Sequence, residues 1–335
     1  MQLRERCESL VQELGLAKPE DVLEVIPLTG GVASDIAMVD LGNRKICVKF
    51  ALPKLKVAAD WRAPVHRNAA EYAWLKVAAQ TFPRSSVELF GRSDAAYGFA
   101  MEFLDGIDVY LWKDHLLREE ADRGEAAKVA ELLGKIHAAS VLPTFDQEPF
   151  HNRDDFHALR IEPYLSHTRK AFPSLALHIA PLETMLYDSN QVLVHGDASP
   201  KNILFRGGAP IMLDAECATM GDACFDPAFC LNHLILKAIH LPNSRDRLLS
   251  QVMAFWAAYS AQVDWEDPIE LEHRVCALLA VLMLARVDGK SPVEYLSSKA
   301  RQTVRDVSIP LITSPVARVD QFVDQVATGV SGKAK

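Results

Sequence analysis

Apolar and polar positions along the first hundred residues predict short strands and one main helix. Apolar residues at helical spacing predict a short amphipathic helix over 4–16. Apolar runs on either side of a glycine pair predict two strands within 25–39, and a further strand is predicted over 45–50. A helix over 68–80 follows, with Ala, Trp and Val residues on one side.

The pattern then becomes mostly helical. Strand-like segments over 87–90 and 98–104 lead to predicted helices over 109–117 and 124–139. From residue 228 onward, helical spacing continues almost to the end of the chain. Strands are therefore predicted mainly at the start of the chain, and helices in the remainder.

The stretch 192–216 carries the clearest chemical pattern. An apolar run leads into His-Gly-Asp, which ends at Asp197, and Asn202 follows after four residues. A second apolar run turns at a glycine pair, resumes, and ends at Asp214, with Glu216 two residues later. The predicted arrangement is a strand, a loop with Asp and Asn, a hairpin, and a further Asp. This is the arrangement of a phosphoryl-transfer centre.

The chemistry of that reaction explains these residue types. Phosphoryl transfer needs alignment and charge neutralisation, and Mg²⁺ prefers oxygen ligands. We expect Asp197 to orient an acceptor hydroxyl and take its proton, and Asn202 and Asp214 to hold the metal. Glu216 would add a ligand or fix one of the metal's waters. The alternative is a polar hairpin whose Asp and Asn residues make turn hydrogen bonds.

A phosphate-binding element is predicted in the strand-rich part. Gly30 and Gly31 allow a close backbone approach, and Ser34 leaves room for phosphate oxygens on backbone N–H groups. Lys49 lies in the next strand, where a kinase carries its phosphate-binding lysine. Glu71, in the first turn of the following helix, would pair with Lys49. The alternative for Glu71 is a simple interaction with the helix dipole.

The segment Glu102, Phe103 and Leu104 is predicted to supply the backbone groups that bind adenine. This assignment depends on the order of elements along the chain, because side-chain identity says little at such a position. With the phosphate-binding residues, it makes ATP the expected cofactor alongside Mg²⁺.

Composition narrows the classes of function. The chain has 335 residues, 49% hydrophobic and 24% charged, which is typical of a globular protein. A net charge of −8 argues against nucleic acid as a partner. The six cysteines lack metal-binding spacing and predict reduced thiols of a cytoplasmic protein. The charged start predicts no signal peptide, and the longest apolar run, 276–285, is too short to span a bilayer.

The His-Gly-Asp motif, Asn202 and Asp214 resemble the aminoglycoside phosphotransferase and choline kinase superfamily, which shares the protein-kinase fold. The resemblance implies an α+β, two-lobed fold: a small antiparallel sheet lobe over residues 1–104 and a mostly helical large lobe over 105–335. It implies that the smaller lobe binds nucleotide and the larger carries catalysis and substrate. It also implies that Asp226 braces the catalytic loop through backbone hydrogen bonds.

Further features resemble the methylthioribose kinase branch. These are the Asp-x-Glu ending at Glu216, the Ala-Leu-Pro segment at 51–53, and Trp61 in the loop after Lys49. Kinases of that branch have paired arginines that contact substrate, whereas here Arg286 stands alone beside Ala285. The resemblance implies Trp61 and Arg286 as substrate residues and a sugar-like acceptor.

The sequence leaves several alternatives open. The acceptor is a small-molecule hydroxyl, either of a sugar-like alcohol or of an antibiotic or amino alcohol, and an acidic cleft would favour the latter. An inactive nucleotide-binding scaffold and a protein kinase are weaker alternatives, and a homodimer is compatible with the sequence. Asn232 and His233, inside an apolar helix, either face the substrate cleft or satisfy a neighbouring backbone.

A loop is predicted over 142–158, which is rich in Pro, Asp, Asn and His. A metal site formed by its histidines and aspartates (His151, Asp154, Asp155 and His157) is a weaker alternative.

Overall fold

The chain has a two-lobed α+β fold, as the sequence predicts. The computed structural model describes residues 2–28, 33–56 and 63–331. Within these ranges the strands are β1 (Glu24–Pro27), β2 (Ser34–Asp40), β3 (Lys45–Ala51), β4 (Leu89–Ser93), β5 (Gly98–Glu102), β6 (Val109–Leu111), β7 (Val192–Val194), β8 (Ile203–Arg206), β9 (Ala209–Met212) and β10 (Thr219–Gly221).

Two helices belong to the first lobe, and the others make up most of the second. In chain order the helices are α1 (Leu3–Glu13), α2 (Asn68–Thr81), α3 (Trp112–Leu117), α4 (Glu125–Ser140), α5 (Arg153–Phe156), α6 (His167–Ala171), α7 (Ala176–Asp188), α8 (Phe225–His240), α9 (Arg245–Ser260), α10 (Pro268–Asp288), α11 (Ser298–Thr313) and α12 (Val319–Ser331). A π-helical segment, His157–Ser166, joins α5 to α6.

The first lobe is built on an antiparallel sheet with strand order β1-β2-β3-β5-β4. Strand β3 alternates its side chains between the two faces. Ile46, Val48 and Phe50 are fully buried against the apolar face of α1. Lys49 lies on the opposite face, so the alternation that builds the core also turns this lysine toward the second lobe.

The second lobe packs around α8, which is buried along almost its whole length. Helix α8 contacts α9, α10 and α11, and α4 packs against α9. The apolar run 276–285 lies inside α10, and almost all of it is buried. No helix in the described part of the chain is long and apolar enough to cross a membrane. The six cysteines are buried and unpaired, as predicted.

Two predicted elements are wrong. Residues 109–111 form strand β6, because their backbone pairs with β8 in a register that places Val109 opposite Arg206. Tertiary pairing here outweighs the local helical pattern. The loop predicted over 142–158 ends early, since α5 begins at Arg153. Two aspartates lie in the first turn of α5, where their negative charges interact favourably with the positive end of the helix dipole. The lobe boundary after residue 104 stays a prediction, although the five-stranded sheet ends at Glu102.

Gly196, in the loop after β7, has backbone geometry that only glycine adopts without strain. Its φ is +79°, and a Cβ built there would lie 2.8 Å from the Cβ of Cys217 and 2.9 Å from its carbonyl oxygen. Gly124 also has a φ of +79°, but a Cβ there would meet nothing within 4 Å. The two positions therefore share backbone strain and differ in crowding.

We predict that Gly196→Ala lowers the free energy of unfolding by more than Gly124→Ala does. Both substitutions carry about 1–2 kcal/mol of left-handed strain, and Gly196→Ala adds about 1–3 kcal/mol of overpacking. Urea unfolding of the two variants measures the difference. Equal losses would show that the loop yields to the added methyl group.

Candidate active site

The loop that carries Asp197 is fixed by hydrogen bonds to Asp226. Asp226 lies in the first turn of the buried helix α8 and accepts the backbone N–H of His195 at 2.6 Å and that of Gly196 at 2.9 Å. This confirms the bracing role expected for Asp226. A second buried contact comes from His137, whose Nε2 lies 3.3 Å from Asp226 while its Nδ1 lies 2.8 Å from the Tyr259 hydroxyl.

Two cations converge on the Asp197 carboxylate. Lys201 Nζ lies 3.1 Å and an Arg160 guanidinium nitrogen 3.0 Å from Asp197 Oδ2. Burial alone would raise the pKa of Asp197, but Lys201 and Arg160 hold this pKa well below its usual range. Asp197 is therefore ionised at neutral pH and can accept a hydrogen bond from an acceptor hydroxyl.

Arg160 also anchors the loop itself, because its Nε donates to the Gly196 carbonyl. It projects from the π-helical segment, which departs from the 3.6-residue period. Arg160 was not predicted from the sequence, because the predicted loop ends at 158 and the residues that follow carry no motif.

Lys49 is enclosed by three carboxylates. It pairs with Glu71 at 2.6 Å, with Glu216 at 3.2 Å, and with Asp214. Glu71 also accepts the backbone N–H of Asp214 at 3.0 Å. The ion pair between Lys49 and Glu71 is as predicted. Burial disfavours the charged lysine, yet the carboxylates of Asp214, Glu71 and Glu216 hold the pKa of Lys49 well above its ordinary value.

Arg67 is a second buried cation of this cluster, and it was not predicted from the sequence. Its Nε donates to Glu216 at 2.6 Å, and its other nitrogens donate to four loop carbonyls, Ala33, Leu52, Ala63 and Pro64. Ser34 donates its hydroxyl to Glu216 as well. Against the cost of burial, Lys49 and then Arg67 lower the pKa of Glu216 to about 2. A signal was available, since an arginine next to a helix start can satisfy loop carbonyls, but many surface arginines share it.

The carboxylates form a set that suits a hard cation. Oxygens of Glu71, Asp214 and Glu216 lie within 4.8 Å of one another, which is the only such group of three acidic, His or Cys residues in the described ranges. Asn202 lies nearby and donates its Nδ2 to the Asp197 carbonyl at 3.0 Å, so its amide oxygen is the atom available to a cation. Hard oxygen donors of this kind fit Mg²⁺. The metal site considered for the 142–158 segment gains no support, because Asp155 already has a partner. His66 Nε2 lies 2.9 Å from a carboxylate oxygen of Asp155.

A cavity of about 410 Å³ lies between the lobes. Apolar side chains from both lobes line it, together with the predicted linker residues Glu102, Phe103 and Leu104, and with Lys49, Glu71, Lys201, Asn202 and Asp214. The backbone N–H of Glu102 donates to the Glu88 carbonyl at 2.8 Å. Gly30, Gly31 and Trp61 lie outside the described residues.

Arg286 lies at the end of α10, mostly buried. One of its terminal nitrogens donates to the Tyr164 hydroxyl at 3.2 Å and to the Ser291 hydroxyl at 3.0 Å. His233 is buried with no partner on Nε2, and Asn232 has none on either amide atom. Neither side chain therefore satisfies a neighbouring backbone through these atoms.

Comparison with protein families gives one match. Residues 24–271 match the family described as the phosphotransferase enzyme family, APH. No curated protein is significantly similar to the chain in sequence.

Solved structures of similar fold cover almost the whole chain. Choline kinase LicA from Streptococcus pneumoniae has a TM-score of 0.51 and 13% identity, over 98% of this chain and 99% of that chain. An ethanolamine kinase from Plasmodium vivax has a TM-score of 0.52 and 14% identity, over 97% and 86%. An amicoumacin kinase complex with AMP-PNP and Ca²⁺ has a TM-score of 0.55 and 12% identity, over 95% and 98%. At these identities the similarity shows the fold alone.

The buried carboxylates predict a distinctive dependence of stability on pH. Burial raises the pKa of Glu71 to about 7 from 4.5, so the folded chain keeps a proton that the unfolded chain releases. Its contribution to stability is complete below pH 4.5 and is lost as the pH rises to about 7. We therefore expect the stability of the wild type relative to Glu71→Gln to decrease over this range without nucleotide.

Urea unfolding between pH 4.5 and 7.5 measures this difference. Glu131→Gln, the same substitution in an exposed ion pair with Lys135, is the control and should follow the wild type. A constant difference between Glu71→Gln and the wild type across the range would contradict the prediction.

Proposed function

The chain belongs to the phosphotransferase enzyme family and is a small-molecule kinase, and from this premise we propose that it transfers the γ-phosphoryl group of ATP to a hydroxyl of a sugar or sugar-like alcohol with the help of Mg²⁺. The observation that carries the proposal is one cavity between the lobes. Lys49, Asn202 and Asp214 line this cavity beside a linker with apolar walls. The ionised Asp197 lies next to it, bonded to Lys201 and Asn202.

On the nucleotide side, the apolar walls suit an adenine ring. Because the N–H of Glu102 already bonds to Glu88, Phe103 and Leu104 would supply the backbone groups for adenine. Lys49, held by Glu71, would grip the phosphates, with the backbone around Gly30, Gly31 and Ser34 above them. AMP-PNP in the amicoumacin kinase complex supports nucleotide use by this fold.

The metal would be held by Asn202 and Asp214, with Glu216 as a further ligand or an anchor for a bound water. When bound, Mg²⁺ supplies positive charge that neutralises the phosphate oxygens. Asp214 suits this position because about a third of its side chain is exposed, whereas Glu71 is fully buried. Lys49 would then exchange part of its contact with Asp214 for the phosphates.

On the acceptor side, Asp197 would orient the hydroxyl and take its proton as the new oxygen–phosphorus bond forms, while the bond between the γ-phosphorus and the β–γ bridging oxygen breaks and ADP leaves. Lys201 is about half exposed and lines the cavity, so it can also face the transferred phosphoryl group. A sugar-like acceptor would meet Arg286 and Trp61, as the resemblance to methylthioribose kinases implies. An amino-alcohol or aminoglycoside acceptor is less favoured, because Lys201 and Arg160 place positive charge beside Asp197.

We predict that Asp197→Asn lowers kcat by about 10²–10⁴-fold, the usual contribution of a positioned acid or base. Binding of the nucleotide should survive, because Asp197 lies on the acceptor side. Coupled ADP release with Mg·ATP and a panel of sugars, amino alcohols and aminoglycosides measures turnover, and calorimetry with AMP-PNP measures binding. Retained turnover in this variant would refute the role of Asp197. Absence of turnover by the wild type on every acceptor, with nucleotide bound, would favour the scaffold alternative.

We also predict that Lys49→Met raises the KM for ATP and lowers kcat, because the phosphates lose their cation. Lys45→Met, at an exposed position of the same strand, is the matched control and should leave both constants unchanged. Steady-state kinetics over a range of ATP concentrations measures the effect. An unchanged KM for ATP in a folded Lys49→Met enzyme would be the contrary result.

A further inference from the structure

A second cluster of buried cations lies in the large lobe, away from the carboxylates. We call it the anion pocket and define it by His233, Lys237, Arg286 and Tyr295. Lys237 is 1%, His233 5% and Arg286 8% exposed. Lys237 Nζ lies 5.2 Å from the centre of the Tyr295 ring.

Several hydrogen-bonding atoms of the anion pocket lack partners. His233 Nε2, Arg286 Nε and the Tyr295 hydroxyl have none, and Lys237 Nζ makes one long bond of 3.4 Å to the His233 carbonyl. Buried polar groups in folded proteins are almost always hydrogen-bonded, and buried charges are paired. The pocket therefore holds donor capacity that the described protein groups leave unused.

The other buried cations of this chain follow the rule. Lys49, Arg67 and Arg160 each contact at least one carboxylate within 3.2 Å. In the described ranges, no carboxylate forms an ion pair with Lys237 or Arg286. The pKa of Lys237 is accordingly lowered to about 7, first by burial and then by the charge of Lys113. Glu294 acts on Lys237 only from a greater distance, so this pocket lacks the directly bonded carboxylates that surround Lys49 in the first cluster.

The anion pocket adjoins the acceptor side of the active site. His233 contacts the Phe229 ring at 5.4 Å, and Phe229 contacts Tyr164 at 5.5 Å. Tyr164 binds Arg286 and lies in the same π-helical segment as Arg160, which contacts Asp197. Burial, Arg286 and Lys237 lower the pKa of His233, while Asp197 acts in the opposite direction, so the charge of Asp197 reaches this ring.

We propose that the anion pocket binds an anionic group of the acceptor, a carboxylate or a phosphate, and that the substrate is an anionic hydroxy compound. This inference rests on the proposed function for the hydroxyl that reacts. Charge around the acceptor side supports it, because Lys201 and Arg160 both pair with Asp197, while Lys237 and Arg286 form no ion pair with a carboxylate of the described residues. Such a site attracts an anion and repels a cationic amino alcohol.

Matched pairs of ligands test the proposal without turnover. Calorimetry in the presence of Mg²⁺ and AMP-PNP compares D-gluconate with D-glucitol, D-glycerate with glycerol, and glycerol 3-phosphate with glycerol. We expect at least one anion to bind about tenfold or more tightly than its neutral counterpart, as charge-assisted hydrogen bonds imply. Gluconate and glycerate report on a carboxylate, and glycerol 3-phosphate on a phosphate. Equal affinities within all three pairs would overturn the proposal.

Two variants separate binding from a structural role. Lys237→Met should weaken the preferred anion by about tenfold or more, and it should raise the free energy of unfolding because it removes an unpaired buried charge. Arg286→Gln should weaken binding of the same anion by a similar factor. Arg305→Gln, whose arginine pairs with Asp288 at the end of the same helix, is the control and should bind the anion like the wild type. Unchanged anion affinity in both pocket variants would mean that the cluster is only structural.

These experiments distinguish a failure of the anion-binding proposal from a failure of the proposed function. Anion binding that persists without any ADP release would keep the pocket and refute the proposed function. ADP release with neutral acceptors alone would support the proposed function and refute the anion pocket.

Discussion

The enclosure of Lys49 by three carboxylates is the interaction on which the site depends. A buried ammonium is stable only with close anions, and these anions come from α2 and from the segment after β9. The ion pairs of Lys49 therefore link the sheet, helix α2 and the large lobe. Arg67 completes the cluster by holding Glu216 and the loop carbonyls. With all three carboxylates ionised, the two cations leave one negative charge in excess, which a divalent cation would more than offset.

The loop that carries Asp197 has the opposite balance of charge. Around Asp197 the cations outnumber the acids, and the backbone is fixed by Asp226 and by Arg160 from two different helices. The cavity thus runs from a region with an excess of negative charge to one with an excess of positive charge. A metal and a nucleotide suit the first, and an anionic acceptor suits the second. In the proposed reaction, the nucleotide end and the acceptor end of the cavity therefore differ in the sign of their excess charge.

The family resemblance implied the fold and the brace at Asp226, whereas the pairing of Lys49 with Glu71 follows from local patterns in the sequence. A strand that alternates Ile46, Cys47, Val48 and Lys49 must place the lysine opposite the core, and the following helix offers Glu71 one turn from its start. Arg67, Arg160 and Lys237 could not be predicted in the same way, because their roles arise from contacts between distant segments. Strand β6 was misassigned for the same reason, since its partner β8 lies about a hundred residues later.

The six buried cysteines have a practical consequence for following this protein in solution. Burial raises the pKa of each thiol, so little reactive thiolate is present in the native chain. Alkylating reagents should therefore modify a cysteine only when its surroundings open. Cys7 and Cys47 belong to the sheet lobe and the other four to the helical lobe. Mass spectrometry of labelled peptides would then give separate opening rates for the two lobes from the unmodified natural sequence.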